Sequence, residues 1–149
     1  MGFDLDKMMN ELKLDEGKAP NDLGYKCPGG YWTIGYGHNI ETNPIPERIA
    51  EDLLSHDIGV VLSQCERFDW FYGLSDVRKR VIVNMVFNIG ANGVSKFKKM
   101  NAAIEAKDFD RASREMLNSK WLEDVGDRAH RLAVMMEYDD EFWPEHKGE

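Results

Sequence analysis

The chain has 149 residues, of which 42% are hydrophobic, and its 27 acidic and 19 basic side chains give a formal net charge of -8. This length fits one domain, or two small lobes that share a helix. Six acids and one lysine between residues 137 and 149 hold most of the charge excess. The balance argues against a nucleic-acid partner, because phosphate contacts need a surplus of lysine and arginine on one face.

Cysteine usage and hydropathy indicate the cellular compartment in which the protein is expected. Cys27 and Cys65 predict two free thiols in a reducing cytoplasm, since a core of this size needs no disulfide. The N-terminal residues lack a cationic segment followed by an apolar core, and no window approaches the roughly 18 apolar residues that span a bilayer. We therefore expect no membrane insertion and no secretion signal.

The first predicted element is an amphipathic helix over residues 4–15 that ends at Gly17. Apolar residues recur at helical spacing after Asp4, a good N-cap; they are Leu5, Met8, Met9 and Leu12. Glu16 falls at the C-terminal end of this helix, where the helix dipole is negative and opposes ionisation of a carboxyl. That position, together with burial against a Trp or Tyr of the following segment, would suit a proton donor.

Residues 18–40 predict a small twisted sheet, because glycines and prolines punctuate aromatic and β-branched residues. Cys27 and Thr33 lie six positions apart in it, and strand alternation turns Thr33 away from Trp32 and Ile34. The Thr33 hydroxyl can donate to and accept from a water. A thiol is a poor base unless its surroundings ionise it.

The second half of the chain reads as helical. A helix returns after Pro46 and continues to about Cys65, and residues 76–89 carry apolar side chains on nearly every face, which predicts a helix in the middle of a core. Shorter helical patterns follow at about 94–106, 108–119 and 127–138.

These elements predict a mostly helical α+β fold. It would have a small β-containing lobe at about residues 16–48 and a connecting helix at about 47–65. A helical lobe at about 66–149 would be joined by the N-terminal helix, residues 4–15. A cleft between lobes is where substrate sites usually form, so we expect Glu16, Cys27 and Thr33 to converge on one.

Four segments together resemble the phage-type lysozymes, the T-even phage lysozyme family of glycoside hydrolases. They are the hairpin with Thr33-Ile34-Gly35-Tyr36-Gly37-His38, then Asn84–Gly90, Ser119–Trp121 and Asp127–Arg131, in the family's order. Cys27 stands where the family usually has an aspartate, and the interval before it is longer than in the family.

The resemblance implies a lysozyme-like fold and muramidase activity. This activity is hydrolysis of the β-1,4 bond between N-acetylmuramic acid and N-acetylglucosamine, usually with inversion and without metal or cofactor. It implies Glu16 as general acid, with Cys27 and Thr33 positioning or activating water. Phe87 and Asn88 match the family's substrate-binding pair.

The resemblance also implies two contacts and a biological setting. An arginine matching Arg128 pairs with the catalytic Glu, and a histidine matching His38 pairs with an acid matching Asp57, which gives His38 a structural role. The expected partner is the peptidoglycan glycan strand, met by a monomeric endolysin. This enzyme would accumulate in the host bacterial cytoplasm and reach the cell wall after release by a holin.

Other readings stay open on the sequence alone. Glu16 as an exposed helix end, Thr33 as a strand former and Cys27 as a small buried hydrophobe are the structural alternatives. Asp22 is a rival carboxylate in a loop beside Pro20. Among functions, a cysteine-dependent wall endopeptidase would use Cys27 with His38 as its base. A lytic transglycosylase needs only the acid, and a wall-binding module has lost the reaction.

Overall fold

A computed structural model describes residues 2–142, so most of the acidic tail, residues 143–149, lies outside the description. The fold is α+β and mostly helical, which confirms the fold class predicted from the sequence. The helices are α1 (Leu5–Glu16), α2 (Glu47–Cys65), α3 (Asp76–Ser95), α4 (Lys98–Glu105), α5 (Phe109–Leu117), α6 (Lys120–Val125) and α7 (Asp127–Tyr138). The strands are β1 (Tyr25–Lys26), β2 (Trp32–Ile34) and β3 (His38–Asn39), and 3-10 turns occur at Pro20–Asp22 and Phe71–Gly73.

The chain divides into two compact units, Met1–Leu53 and Leu54–Glu149, with the boundary inside α2. The first unit contains α1, the sheet and the start of α2. The second contains the rest of α2 and the five later helices. The predicted lobe boundaries stay a prediction.

Helix α1 begins and ends where the sequence predicts. The Asp4 side chain accepts a hydrogen bond from the Lys7 backbone N–H at 3.0 Å, which caps the first turn. At the other end the Gly17 N–H donates to the Lys13 carbonyl at 3.1 Å. None of the residues of α1 is buried.

The sheet is antiparallel, with strand order β1-β2-β3. Thr33 in β2 pairs with Tyr25 on one side and Asn39 on the other, while Ile34 pairs with His38. Because side chains alternate between faces, Thr33, Tyr25 and Asn39 share one face, and Ile34 and His38 share the other.

The first unit is held mainly by its backbone. Of its described side chains only Ala19 and Thr33 are buried. The Ala19 N–H donates to the Gly35 carbonyl at 2.8 Å and so ties the segment after α1 to the turn between β2 and β3. A structure with so little packed interior depends on its turn geometry.

The second unit has a true core centred on α3, as its all-round apolar pattern predicts. Side chains of α3 that are at most 2% exposed are Val81, Ile82, Met85, Val86 and Val94. Burying each of them contributes roughly 1.5–3 kcal/mol. The Ser75 hydroxyl caps the helix by accepting from the Arg78 N–H. Gly90, at φ 79° and ψ 160°, kinks α3, which then continues to Ser95.

The remaining helices follow the predicted patterns with shifted ends. Helix α7 matches the predicted segment, and its Leu132 and Met136 enter the core. The patterns at 94–106 and 108–119 become the shorter helices α4 and α5. The six-residue helix α6 was not predicted, because so short a helix shows no clear period. Within residues 2–142, none of the helices is both long and apolar enough to cross a bilayer.

Candidate active site

A tight turn between β1 and β2 holds the Cys27 thiol. The Cys27 N–H donates to the Tyr31 carbonyl at 2.9 Å, and the Gly30 N–H donates to the Cys27 carbonyl at 2.8 Å. These bonds fold residues 27–31 into a loop around the Cys27 side chain, which is partly exposed. The Pro28-Gly29-Gly30 sequence thereby brings several backbone N–H groups close to one sulfur.

These donors lower the pKa of the Cys27 thiol below its ordinary value. The largest cause is a hydrogen bond from the Tyr31 backbone, which partial burial of the sulfur opposes. The Thr33 hydroxyl and the backbone of Gly29 and Gly30 contribute further hydrogen bonds. Each of these donors favours the charged form of the thiol. We call the backbone of residues 29–31 with the Thr33 hydroxyl the Cys27 cradle.

Thr33 is the buried member of this pair. It is 3% exposed, and its hydroxyl donates to the Tyr31 carbonyl at 3.1 Å. The same hydroxyl also reaches the Cys27 sulfur, so its single proton can serve either acceptor. The structure therefore brings Cys27 and Thr33 together on one face of the sheet.

Glu16 lies against the next turn of the sheet. A Cβ placed on Gly37 would stand 3.0 Å from Glu16 Oε2 and 3.2 Å from its Cδ, so the carboxyl rests directly on the Gly37 backbone. Gly37 has φ 72°, a conformation that favours glycine. Lys13 of the same helix lies 5.6 Å from the ring centre of Tyr36. The end of α1 thus packs on the turn that follows the strand of Thr33.

The expected burial of Glu16 against a Trp or Tyr is wrong. Glu16 is exposed, and its close neighbour is the backbone of Gly37. A glycine without a side chain leaves the carboxyl accessible, which a proton donor to a polymer requires.

Two other sequence candidates have structural partners. Asp22 forms an ion pair with Lys18 at 2.6 Å, on the surface of the 3-10 turn. The His38 Nε2 donates to the Asn43 carbonyl at 3.0 Å, and the Asn43 side-chain amide donates to His38 Nδ1 at 3.4 Å. His38 therefore anchors the turn after β3.

Phe87 and Asn88 belong to the second unit, on α3. Phe87 is 46% exposed and lines a groove of about 520 Å³ that Arg128 and Asn84 also line. The Arg128 Nε donates to Asn84 Oδ1 at 2.8 Å. Asn88 is exposed, and its Oδ1 accepts from the Trp121 indole N–H at 2.8 Å. The pairings of Arg128 with Glu16 and of His38 with Asp57 stay predictions.

Sequence reasoning missed the roles of Gly37 and Trp121. Gly37 is the second glycine of Gly35-Tyr36-Gly37, and this spacing in a turn signals positive φ but does not say what approaches the backbone. Trp121 carries a buried indole N–H, which needs a partner, but its partner is 33 residues away in sequence.

Chemically, the first unit offers a carboxyl that can give a proton and a thiol and hydroxyl that can hold a water. Among residues 2–142, no group of three or more His, Cys, Asp or Glu side chains is arranged to hold a metal ion.

Comparison with known proteins identifies the family. The phage lysozyme family model matches residues 16–134. The chain is 31% identical to "Probable T4-type lysozyme 1" of Dictyostelium discoideum, over 85% of this chain and 91% of that protein. It is 32% identical to "Endolysin" of Acyrthosiphon pisum secondary endosymbiont phage 1, over 65% of this chain and 66% of that protein.

A third relative is of a different kind. The chain is 25% identical to "Pre-baseplate central spike protein Gp5" of Enterobacteria phage T4, over 87% of this chain but 27% of that protein. With the family match covering most of its length, this chain belongs to the phage lysozyme family and is a lysozyme-type glycosidase.

Proposed function

We propose that this enzyme is a muramidase that hydrolyses the β-1,4 bond between N-acetylmuramic acid and N-acetylglucosamine in peptidoglycan. Glu16 is the general acid, and Cys27 with Thr33 handles the water. Phe87 and Asn88 contact the glycan strand. Membership of the lysozyme family supports the reaction class, and the Cys27 cradle is the observation that supports the assignment of roles.

The proposed reaction is a single displacement. Protonated Glu16 gives its proton to the glycosidic oxygen as the bond to C1 of muramic acid breaks. A water held by the Thr33 hydroxyl attacks C1 from the opposite side, and the Cys27 thiolate takes the proton that this water loses. The products are a reducing muramic acid end and a free C4 hydroxyl on glucosamine, with inversion at C1.

The cradle makes this role plausible for a thiol. An unassisted cysteine is largely protonated at neutral pH and is a weak base. Backbone hydrogen bonds from Tyr31 shift Cys27 towards the thiolate, which takes the place of the carboxylate that the family usually carries. Direct attack of the sulfur on C1 would instead proceed through a covalent intermediate and retain configuration. The anomer of the first product therefore separates the two roles.

The strand register favours this chemistry over that of a cysteine peptidase. A peptidase dyad would need His38 within hydrogen-bonding reach of Cys27. By alternation from Thr33, Cys27 and His38 lie on opposite faces of the sheet. Both ring nitrogens of His38 already contact Asn43.

The proposed setting is lysis of a bacterial host. The similarity to a phage protein named "Endolysin" supports an enzyme that is made in the host cytoplasm and reaches the wall after a holin opens the membrane. Expression of the chain in a bacterium, with and without a co-expressed holin, tests this directly. Lysis that requires the holin supports the proposal, and lysis without it contradicts it.

The reaction itself is tested by digestion of purified peptidoglycan in ¹⁸O-labelled water. We expect muropeptides with reducing muramic acid ends that carry one ¹⁸O atom at C1. Anhydro-muramic ends without label would indicate a lytic transglycosylase, and newly freed amines would indicate a peptidase. Sedimentation with sacculi and no soluble product would indicate a wall-binding module. Each of these three results would overturn the proposal.

A further inference from the structure

Basic side chains are concentrated in one stretch of an otherwise acidic chain. Residues 77–104 hold six of the chain's 19 basic residues and none of its 27 acids. The arginines at the start of this stretch form ion pairs with acids of the second unit. The lysines near its end, Lys96, Lys98 and Lys99, form none with any acid of residues 2–142. We call these three exposed residues the lysine cluster.

The lysine cluster borders a cavity of about 440 Å³ in the second unit. The rest of the lining comes from the turn between α3 and α4, from α5 and from the linker to α6. These residues are Phe97, Met100, Glu115, Asn118 and Ser119. Glu115 is the one acid among the described residues that line the cavity, so cationic side chains outnumber acidic ones three to one. The local charge is thus opposite in sign to that of the whole chain.

The backbone that carries the lysine cluster is held firmly. The Asn101 side-chain amide donates to the Phe97 carbonyl at 2.7 Å and to the Val94 carbonyl at 3.0 Å, which ties the end of α3 to the start of α4. Met100 is 0% exposed, and the Phe97 ring meets Trp121 edge to face with ring centres 6.2 Å apart. The three lysines therefore extend from a preorganised base, which lowers the entropic cost of binding a ligand.

We propose that the lysine cluster binds phosphodiester groups of an anionic polyol phosphate polymer that is attached to peptidoglycan. The choice of ligand rests on the proposed function, because an enzyme that cleaves peptidoglycan meets the polymers attached to it. Neighbouring cations without acids of their own match a ligand that repeats its negative charge. A planar carboxylate is matched by the arginine fork, whereas the oxygens of a phosphate accept from the point charges of lysines.

Such a site offsets the net charge of the enzyme at one defined place. A chain with a net charge of -8 is repelled at long range by an anionic wall, and the lysine cluster supplies a short-range attraction. Nucleic acid also repeats phosphodiesters, but its binding sites combine a long basic groove with exposed aromatic rings that stack on bases. Phe97 is the aromatic residue of this lining, and it is partly buried against Trp121.

The test is sedimentation of a Glu16→Gln protein with two preparations of sacculi. One preparation carries phosphodiester-linked polyol polymers, and the other is the same material after hydrofluoric acid has cleaved the phosphodiester bonds. The salt concentration is about 0.15 M, so that charges more than about 8 Å apart are largely screened. Removal of the polymer should raise Kd about tenfold, as expected for the loss of three exposed charge contacts.

A double variant in the same background tests the cluster itself. Lys98→Gln/Lys99→Gln should raise Kd for polymer-bearing sacculi about fivefold and leave Kd for stripped sacculi unchanged. The matched control is Lys7→Gln/Lys107→Gln, which removes the same charge at exposed positions outside the cavity. It should bind both preparations as the parent does.

Three results would overturn the inference. Equal losses of the cluster variant on both preparations would assign the lysines to carboxylates of the peptidoglycan itself. Equal binding by the cluster variant and the control would leave the lysines without a role in wall binding. Single-stranded DNA that binds through the cluster more tightly per phosphate than the wall polymer would assign it to nucleic acid. Release of reducing ends from stripped sacculi by the unsubstituted enzyme tests the proposed function separately, because hydrofluoric acid leaves the glycosidic bonds in place.

Discussion

The two cysteines show how differently the two units treat the same side chain. Cys27, in the first unit, is partly exposed and has its pKa lowered by backbone hydrogen bonds from Tyr31 and its neighbours. Cys65, in the second unit, is 0% exposed, and burial raises its pKa to about 11. Hydrogen-bond donors that face the sulfur make Cys27 reactive, whereas Cys65 is inert because burial acts on it without such donors.

The same contrast extends to whole units. The first unit buries only Ala19 and Thr33 among its described side chains, so turns and backbone hydrogen bonds hold its reactive groups. The second unit packs an apolar core around α3. We expect activity to be most sensitive to changes in the first unit's polar groups and turns. Stability should be most sensitive to the second unit's interior.

The largest expected effect is the loss of the proton donor. Glu16→Gln should lower the rate of glycan hydrolysis about a thousandfold, since general acid catalysis contributes roughly 10²–10⁴. The fold should persist, because Glu16 is exposed. Release of reducing ends measures the rate. Glu11→Gln, an exposed position on the same helix, is the matched control and should retain full activity. Equal activities of the two variants would contradict the role of Glu16.

Thiol alkylation should be on the order of a hundredfold faster at Cys27 than at Cys65, because the two thiols differ in both access and ionisation. Cys27 is partly exposed and has a lowered pKa, whereas Cys65 is 0% exposed and its pKa is raised to about 11. Alkylation of the folded enzyme by iodoacetamide at neutral pH, followed by peptide mass spectrometry, measures both rates. Activity should fall in step with modification of Cys27. Similar rates at the two sites would remove the contrast.

Gly37 should matter more for activity than Gly35, although both have positive φ. Gly35 has φ 57° and Gly37 has φ 72°, so alanine is strained at each. A Cβ added at Gly37 would lie 3.0 Å from the Glu16 carboxyl, whereas a Cβ added at Gly35 would have nothing within 4 Å. We expect Gly37→Ala to lose about tenfold more activity than Gly35→Ala at similar thermal stability, because a displaced acid group reacts poorly.

The smallest effect concerns alkaline stability. The folded pKa of Cys65 is raised from 9.0 to about 11, so its contribution to stability is fully present below pH 9 and is lost as pH rises through 11. At pH 10 the loss is roughly 1 kcal/mol. Urea unfolding of wild type and Cys65→Val at pH 8 and pH 10 measures the part of this stability loss that comes from Cys65. The variant should lose less stability over this interval, and equal losses would count against burial as the cause.

Local patterns in the sequence were enough to predict the structural features that depend on residues close together along the chain. The glycine-rich hairpin predicted that Cys27 and Thr33, six positions apart, converge, and the structure brings these two residues together. The all-round apolar pattern of residues 76–89 identified the core helix. Gly17 marked the end of α1.

Contacts between distant segments were beyond such patterns. The approach of Glu16 to Gly37 depends on how α1 meets the sheet, which no local period encodes. The cradle uses backbone N–H groups, which every residue has, so only the loop conformation shows that they face Cys27. The partnership of Trp121 with Asn88 joins two helices far apart in sequence.

The most direct test of the Cys27 cradle is the pH dependence of kcat/KM for glycan hydrolysis in wild type and Cys27→Asp. If the reaction needs protonated Glu16 and ionised Cys27 together, the higher of the two pKa values sets the alkaline limb of the profile. Wild-type activity should then persist up to the lowered pKa of the Cys27 thiol, below 9.0, and decline above it. Replacement by a carboxyl should move this alkaline limb several pH units towards acid. Identical alkaline limbs in the two proteins would show that the thiol does not act as the base.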